Sequence, residues 1–147
     1  MSTYCVNYRE YMIDDWVTSL PLTPKPYQVA GFSKAGQNIY IKDPLTEKVI
    51  SIDSRLIAPI RITTNCLLTI GFELNDYYSR KFRLTFEHAN YMVVALQQDF
   101  ENIFGTDFIV NRIVNEELVA RITLYYVHEL QHFFKLYGIN RKINLYI

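Results

Sequence analysis

Ile39-Tyr40-Ile41-Lys42-Asp43-Pro44-Leu45-Thr46-Glu47-Lys48-Val49-Ile50-Ser51-Ile52 is two alternating apolar/polar runs joined by a turn-forming stretch. Alternation places every second side chain on one face of a strand, so each run suits a strand with one face on a core and the other in water. Asp43-Pro44 and the polar residues after it provide the reversal, and the whole stretch predicts an antiparallel hairpin. Upstream, similar short runs at residues 4–8, 11–17, 27–32 and 38–42, with a last one at 48–53, are separated by turn signals. They predict a small twisted β-barrel or sheet for the N-terminal part. The proline-bearing residues 21–26 read as a loop within it.

Downstream the pattern becomes mixed. Thr63 is placed to cap a short helix through Leu67 and Leu68, which Gly71 ends where a left-handed C-cap is easiest. Phe82, Leu84 and Phe86 alternate with Lys81, Arg83 and Thr85, again a strand pattern. Further strands are expected at 91–96, 108–114 and 118–122, with turns at 87–90 and 115–117. Val127, Leu130, Phe134 and Tyr137 recur at helical spacing, predicting an amphipathic helix over 124–137 that closes at Gly138. Residues 143–147 alternate like a final strand whose edge is available to another chain. The fold class expected is α+β: a barrel-like or sheet lobe over 1–58, then an α+β lobe over 59–147, with the terminal helix packed on its sheet.

The composition excludes several classes. A chain of 147 residues, 50% hydrophobic, holds enough apolar surface for a compact core and is unlike a disordered segment. Lys+Arg and Asp+Glu balance at 15 each, so the global positive field typical of proteins that grip phosphate backbones is missing. No apolar run is long enough to span a bilayer and no charged-then-apolar leader opens the chain, so no membrane partner and a cytoplasmic location are expected. Cys5 and Cys66 belong to no C-x-x-C pattern and read as buried free thiols.

One motif bears on catalysis. His128-Glu129-Leu130-Gln131-His132 matches H-E-x-x-H, in which histidines four apart share a helix face and grip Zn²⁺ while the glutamate activates a bound water. Catalytic zinc needs a third protein ligand, and residues 133–147 contain no His, Cys, Asp or Glu. Upstream candidates such as His88, Cys66, Asp99 and Glu101 have no metal-site spacing. The helical stripe beside the motif suits a core, leaving His128, Gln131, His132 and Lys135 on a wetter flank. The reading is therefore non-enzymatic and without a cofactor. The alternative is a zinc hydrolase with His128 and His132 as ligands and Glu129 as base.

Two segments resemble a family. Pro59-Ile60-Arg61-Ile62-Thr63, followed by Leu67 and Gly71-Phe72, is similar to a PIPLTxxxLxxxGF segment; Tyr126-Val127-His128-Glu129-Leu130-Gln131, continued by Phe134, Leu136 and Gly138 one residue earlier than in the pattern, is similar to a C-terminal YVHxLQxxxFxLxG helix. Both mark an uncharacterised group of small bacteriophage, prophage and mobile-element proteins, and together they bracket residues 59–138. Members of that group often have Gln at the position of Glu129 and Asn at that of His132, which implies that the zinc-like match arises from two substitutions. The resemblance also implies an SH3-like N-terminal barrel, from which the long 21–26 loop departs, and a bacterial setting in which small non-enzymatic proteins act by binding. It implies no activity.

Two binding readings follow. The first is a protein-interaction module that interferes with a host process or defence, using the tyrosine-rich sheet or the C-terminal edge, through which the chain also self-associates. Its 12 Tyr and 9 Phe suit sheet packing with the hydroxyls at the rim first, and a recognition surface second. The second is nucleic-acid association through Tyr77, Tyr78, Arg80, Lys81 and Arg83, where rings and cations interleave; the same pattern also describes a plain amphipathic strand. A pocket for a small nucleotide would leave no mark in a chain lacking phosphate-loop glycines.

Overall fold

The computed structural model describes residues 11–20, 25–78, 81–97, 105–139, 143 and 145, with residues 76–78, 81 and 82 described by their backbone. Internal contacts divide the chain into two units, Met1–Ile60 and Arg61–Ile147. Each is built on an antiparallel sheet, so the α+β class stands.

In the first unit the strands are β1 (Trp16–Ser19), β2 (Tyr27–Phe32), β3 (Asn38–Lys42), β4 (Val49–Asp53) and β5 (Ile57–Pro59), in the order β4-β3-β2-β1-β5. The sheet does not close on itself; β4 and β5 are its edges. Its core is the alternate set Val17, Tyr27, Val29, Ile39, Ile41 and Ile57, with Tyr11 beside them. The hairpin read from residues 39–52 forms, with Ile41 opposite Ile50 and Ile39 opposite Ile52. Asp43 organises its turn: Oδ1 accepts from Leu45 N at 2.9 Å, its backbone carbonyl accepts from Glu47 N at 2.7 Å, and its other carboxylate oxygen takes the Lys25 ammonium. The Lys25 hydrogen bond, with that from Leu45 N, holds the Asp43 carboxyl below its ordinary value.

The strand expected over 11–17 is shorter and later. Asp15 Oδ2 accepts from Met12 N at 2.7 Å and Asp14 sits at φ 75°, so a local turn competes successfully with the ladder until Trp16. The run expected at 4–8 lies outside the described residues. Between β4 and β5, Asp53 starts a 3₁₀ turn (Ser54–Leu56) by accepting from Arg55 N at 2.9 Å.

The second unit begins with α1 (Thr64–Ile70), capped by Thr63 Oγ1 accepting from Cys66 N at 3.1 Å and stopped at Gly71, φ 123°. The cap and stop residues are those expected. Then come β6 (Glu73–Tyr78), β7 (Lys81–His88), β8 (Tyr91–Gln97), β9 (Thr106–Arg112) and β10 (Leu118–Leu124), a meander in the order β10-β9-β8-β7-β6, followed by α2 (Val127–Leu136). β6 was not expected as a separate element. Glu-Leu-Asn-Asp is poor strand sequence, and pairing with β7 makes it an edge. Residues 77–78 and 81–83 are accordingly two strand ends, with Tyr77 opposite Phe82 and Tyr78 opposite Lys81, not one amphipathic strand.

The second core lies on one face of this sheet. Leu84, Phe86, Val93, Ala95, Phe108 and Val110 alternate into it, and Val127, Leu130, Phe133 and Phe134 of α2 are buried with them. Ring contacts fix the packing: Phe86 meets Phe72 at 5.2 Å and Phe134 at 6.0 Å, while Phe108 meets Phe133 at 6.1 Å. The helix starts three residues later than expected because β10 continues through Leu124, which pairs with Thr106. Of the strand expected at 143–147, only Ile143 and Leu145 are described: the first is buried and the second sits in a turn.

Candidate functional site

Glu129 is the third residue of α2, and the extended backbone of Tyr126 precedes the helix. Glu129 Oε1 accepts from Tyr125 N at 2.9 Å and from Tyr126 N at 3.0 Å, returning over the helix start as the glutamate of a capping box does. The carboxylate that a hydrolase would aim at a metal-bound water is instead committed to two backbone N–H groups.

The histidines are adjacent but differ in setting. His128 is 3% exposed, its ring parallel to that of Tyr126 at 5.9 Å, and His132 approaches it edge-on at 5.8 Å. The expectation of a solvated His128 is corrected: at the start of α2 it is buried, against the rings of Tyr126 and His132. His132 and Gln131 are half-buried; Lys135 is exposed. Among the described residues no group of three His, Cys, Asp or Glu is placed to hold a metal ion. Cys66 is buried in α1, and burial pushes its thiol up to about 12, the direction opposite to that of a ligating or nucleophilic sulfur. His88 packs parallel to Phe86 at 6.3 Å, and Asp99 and Glu101 lie outside the described residues. This donor set does not fit a catalytic zinc, and no catalytic step is derived from it.

A buried polar cluster went unread in the sequence. Gln97, 1% exposed at the end of β8, accepts at Oε1 from Thr64 Oγ1 at 2.8 Å; its Nε2 donates to Thr106 Oγ1 at 3.0 Å and to the Ile62 carbonyl at 3.4 Å. It ties the first turn of α1 to the ends of β8 and β9. The one available signal was parity: Gln97 shares the face of Val93 and Ala95, so a strand extended by one residue past Leu96 would have placed an amide in the core.

The opposite face of the sheet is the broadest candidate surface. Register puts Arg83, Leu96, Asp107 and Thr123 in one row across four strands, and Thr85, Val94, Ile109 and Arg121 in the next. Glu87, Met92 and Asn111 form a third. The centre is thus apolar and the surround mixed in charge. Beside it Arg83, Met92, Val94, Asn111 and Arg112 line a shallow depression of about 390 Å³. Within the expected nucleic-acid patch, the side chain of Arg83 is exposed on this face. The backbones of Tyr77, Tyr78 and Lys81 are at the β6–β7 strand ends nearby, and Arg80 lies outside the described residues.

No family model, curated protein or solved structure matches this chain. Among the described residues no helix is long and apolar enough to cross a membrane.

Proposed function

We propose that the chain is a non-enzymatic accessory protein of a phage or mobile element that acts by binding a protein partner and so interferes with a host process or defence. The observation carrying this reading is the outer face of the second sheet, where Met92, Leu96 and Ile109 sit around the buried Val94 inside a surround of Arg83, Glu87, Asp107 and Arg121. An apolar centre with a polar rim of both signs is the usual anatomy of a protein-binding patch. The acidic members of the rim oppose a phosphate backbone, which favours protein over nucleic acid. The two segments resembling the mobile-element group support the setting. For the first unit an SH3-like reading is supported by strand order, with β5 returning beside β1 after a 3₁₀ turn.

The test compares immobilised wild type with Leu96→Asp for retention of a specific protein from bacterial lysate. Leu96 is exposed, so the substitution spares the fold. A protein retained by wild type and lost by the variant supports the reading. Equal retention removes the face from it. The nucleic-acid reading keeps one specific support, the cationic side chain of Arg83 beside the β6–β7 strand ends. Salt-sensitive binding of single strands that Arg83→Ser weakens would favour it instead.

A further inference from the structure

In an antiparallel ladder, residues whose backbone groups point to the neighbouring strand alternate with residues whose groups point away. Arg112 N donates to the Glu117 carbonyl at 2.9 Å, so Arg112 faces β10, and by alternation Val110, Phe108 and Thr106 do too. Their register partners Ala120, Ile122 and Leu124 face back at β9. Arg121, Thr123 and Tyr125 must therefore direct their N–H and C=O groups to the outer edge. Tyr125 bears this out, because its carbonyl accepts from Ile62 N at 3.0 Å, and Arg61 forms an isolated antiparallel bridge with Tyr126. The chain itself thus starts a strand on this edge, then leaves it at Thr63 to enter α1.

Among the described residues nothing pairs with the edge beyond. Arg121 and Thr123 are exposed, Ile122 is 40% exposed although it points to the core face, and Leu118 is 60% exposed. The other sheet edges carry the usual guards. β5 has three residues and ends in Pro59, β6 contains Glu73 and Asp76, and β4 ends in Asp53. β10 has seven residues and a single charge, and its one irregularity, between Leu118 and Ala120, leaves Ala120–Leu124 regular.

We infer that the outer edge of β10 is a docking site for an extended peptide segment of a partner protein, added in line with the pairing that Arg61 and Ile62 begin. The occupant is a short strand, since only extended backbone matches the exposed N–H and C=O groups of Arg121 and Thr123. Its side chains are apolar opposite Ile122, which they cover, and acidic opposite Arg121. This rests on the protein-binding reading for the class of partner and adds to the open face a separate contact, in which the edge takes an extended segment of that partner.

The experiment selects a displayed library of random short peptides on the purified full chain and reads the enriched peptides against three variants. Thr123→Pro removes an outward N–H without breaking the β9 ladder, a position where edge proline is tolerated. Thr123→Ala removes the hydroxyl and methyl but keeps the N–H, and Leu96→Asp alters only the open face. Expected are peptides that bind wild type, Thr123→Ala and Leu96→Asp alike, lose about tenfold affinity on Thr123→Pro, and slow hydrogen exchange at the Arg121 and Thr123 amides. Arg121→Pro repeats the test if Thr123→Pro lowers the melting temperature. Enriched peptides that bind the proline variants as well as wild type, or no enrichment over them, overturn the proposal. If such peptides are lost on Leu96→Asp, the face reading survives and the edge does not.

Discussion

Replacing Gln97 with Leu tests how the second unit is held together at the junction of α1, β8 and β9. The substitution keeps approximate volume but removes every polar atom of a side chain 1% exposed. Thr64 Oγ1, itself on a buried residue, loses its 2.8 Å acceptor, and the Ile62 carbonyl loses a longer 3.4 Å donor. Thr106 makes other interactions and is not stranded by the change. A buried polar group stripped of its partner costs roughly 1–3 kcal/mol, with the 3.4 Å bond at the weak end, so Gln97→Leu is expected to destabilise by about 2–4 kcal/mol. Making all three members apolar, Thr64→Val/Gln97→Leu/Thr106→Val, leaves fewer groups wanting a partner and is expected to recover part of that loss. The assay is urea unfolding followed by far-UV circular dichroism, with the slope checked for constancy. Fluorescence is unsuitable, because the one tryptophan, Trp16, belongs to the first unit. A cost under about 1 kcal/mol for Gln97→Leu, or a triple variant less stable than the sum of its single changes, would refute the assignment of these bonds as a mutually satisfied network.

Three further outcomes are expected. Glu129→Ala should cost about 1 kcal/mol through loss of its bonds to the Tyr125 and Tyr126 amides, and Glu129→Gln, which keeps an acceptor oxygen, should cost less; equal costs in urea unfolding would contradict the capping role. Hydrogen bonding from the Arg55 guanidinium lowers the Asp53 carboxyl to about 2, and Lys25 lowers Asp43 in the same direction. Because both folded values lie below the ordinary 3.8, their contribution is complete above that pH and fades as pH falls toward 2. Trp16 fluorescence melts from pH 5 to pH 2 should show a small, salt-sensitive loss that Asp43→Asn/Asp53→Asn flattens. In a Cys5→Ser background, the Cys66 thiol should resist an aromatic disulfide reagent at pH 8 until denaturant is added, since burial holds it protonated; rapid reaction in native buffer would show the site open.

Local chemistry made much of the fold legible. The 39–52 hairpin, the Thr63 cap, the Gly71 stop and the apolar stripe of α2 are written in short-range pattern, where period and capping chemistry act over a few residues. The match at His128-Glu129-x-x-His132 was equally visible, and the missing downstream ligand already spoke against zinc. What Glu129 does instead depends on which residue starts the helix, and β10, by extending through Leu124, sets that start.

The rest needed tertiary structure because it depends on which strands meet. β6 exists through pairing with β7 despite a poor strand sequence, so residues 77–78 and 81–83 become two strand ends. His128 is buried beside the ring of Tyr126, a residue bridged to Arg61, and Gln97 is satisfied by partners 33 and 9 residues away. The open edge of β10 is decided by where the chain leaves it at Thr63. Sequence by itself determined the period of each segment and several of its ends. Pairing, which closes contacts between residues distant in the chain, decided which polar groups are spent inside the fold and which remain for a partner.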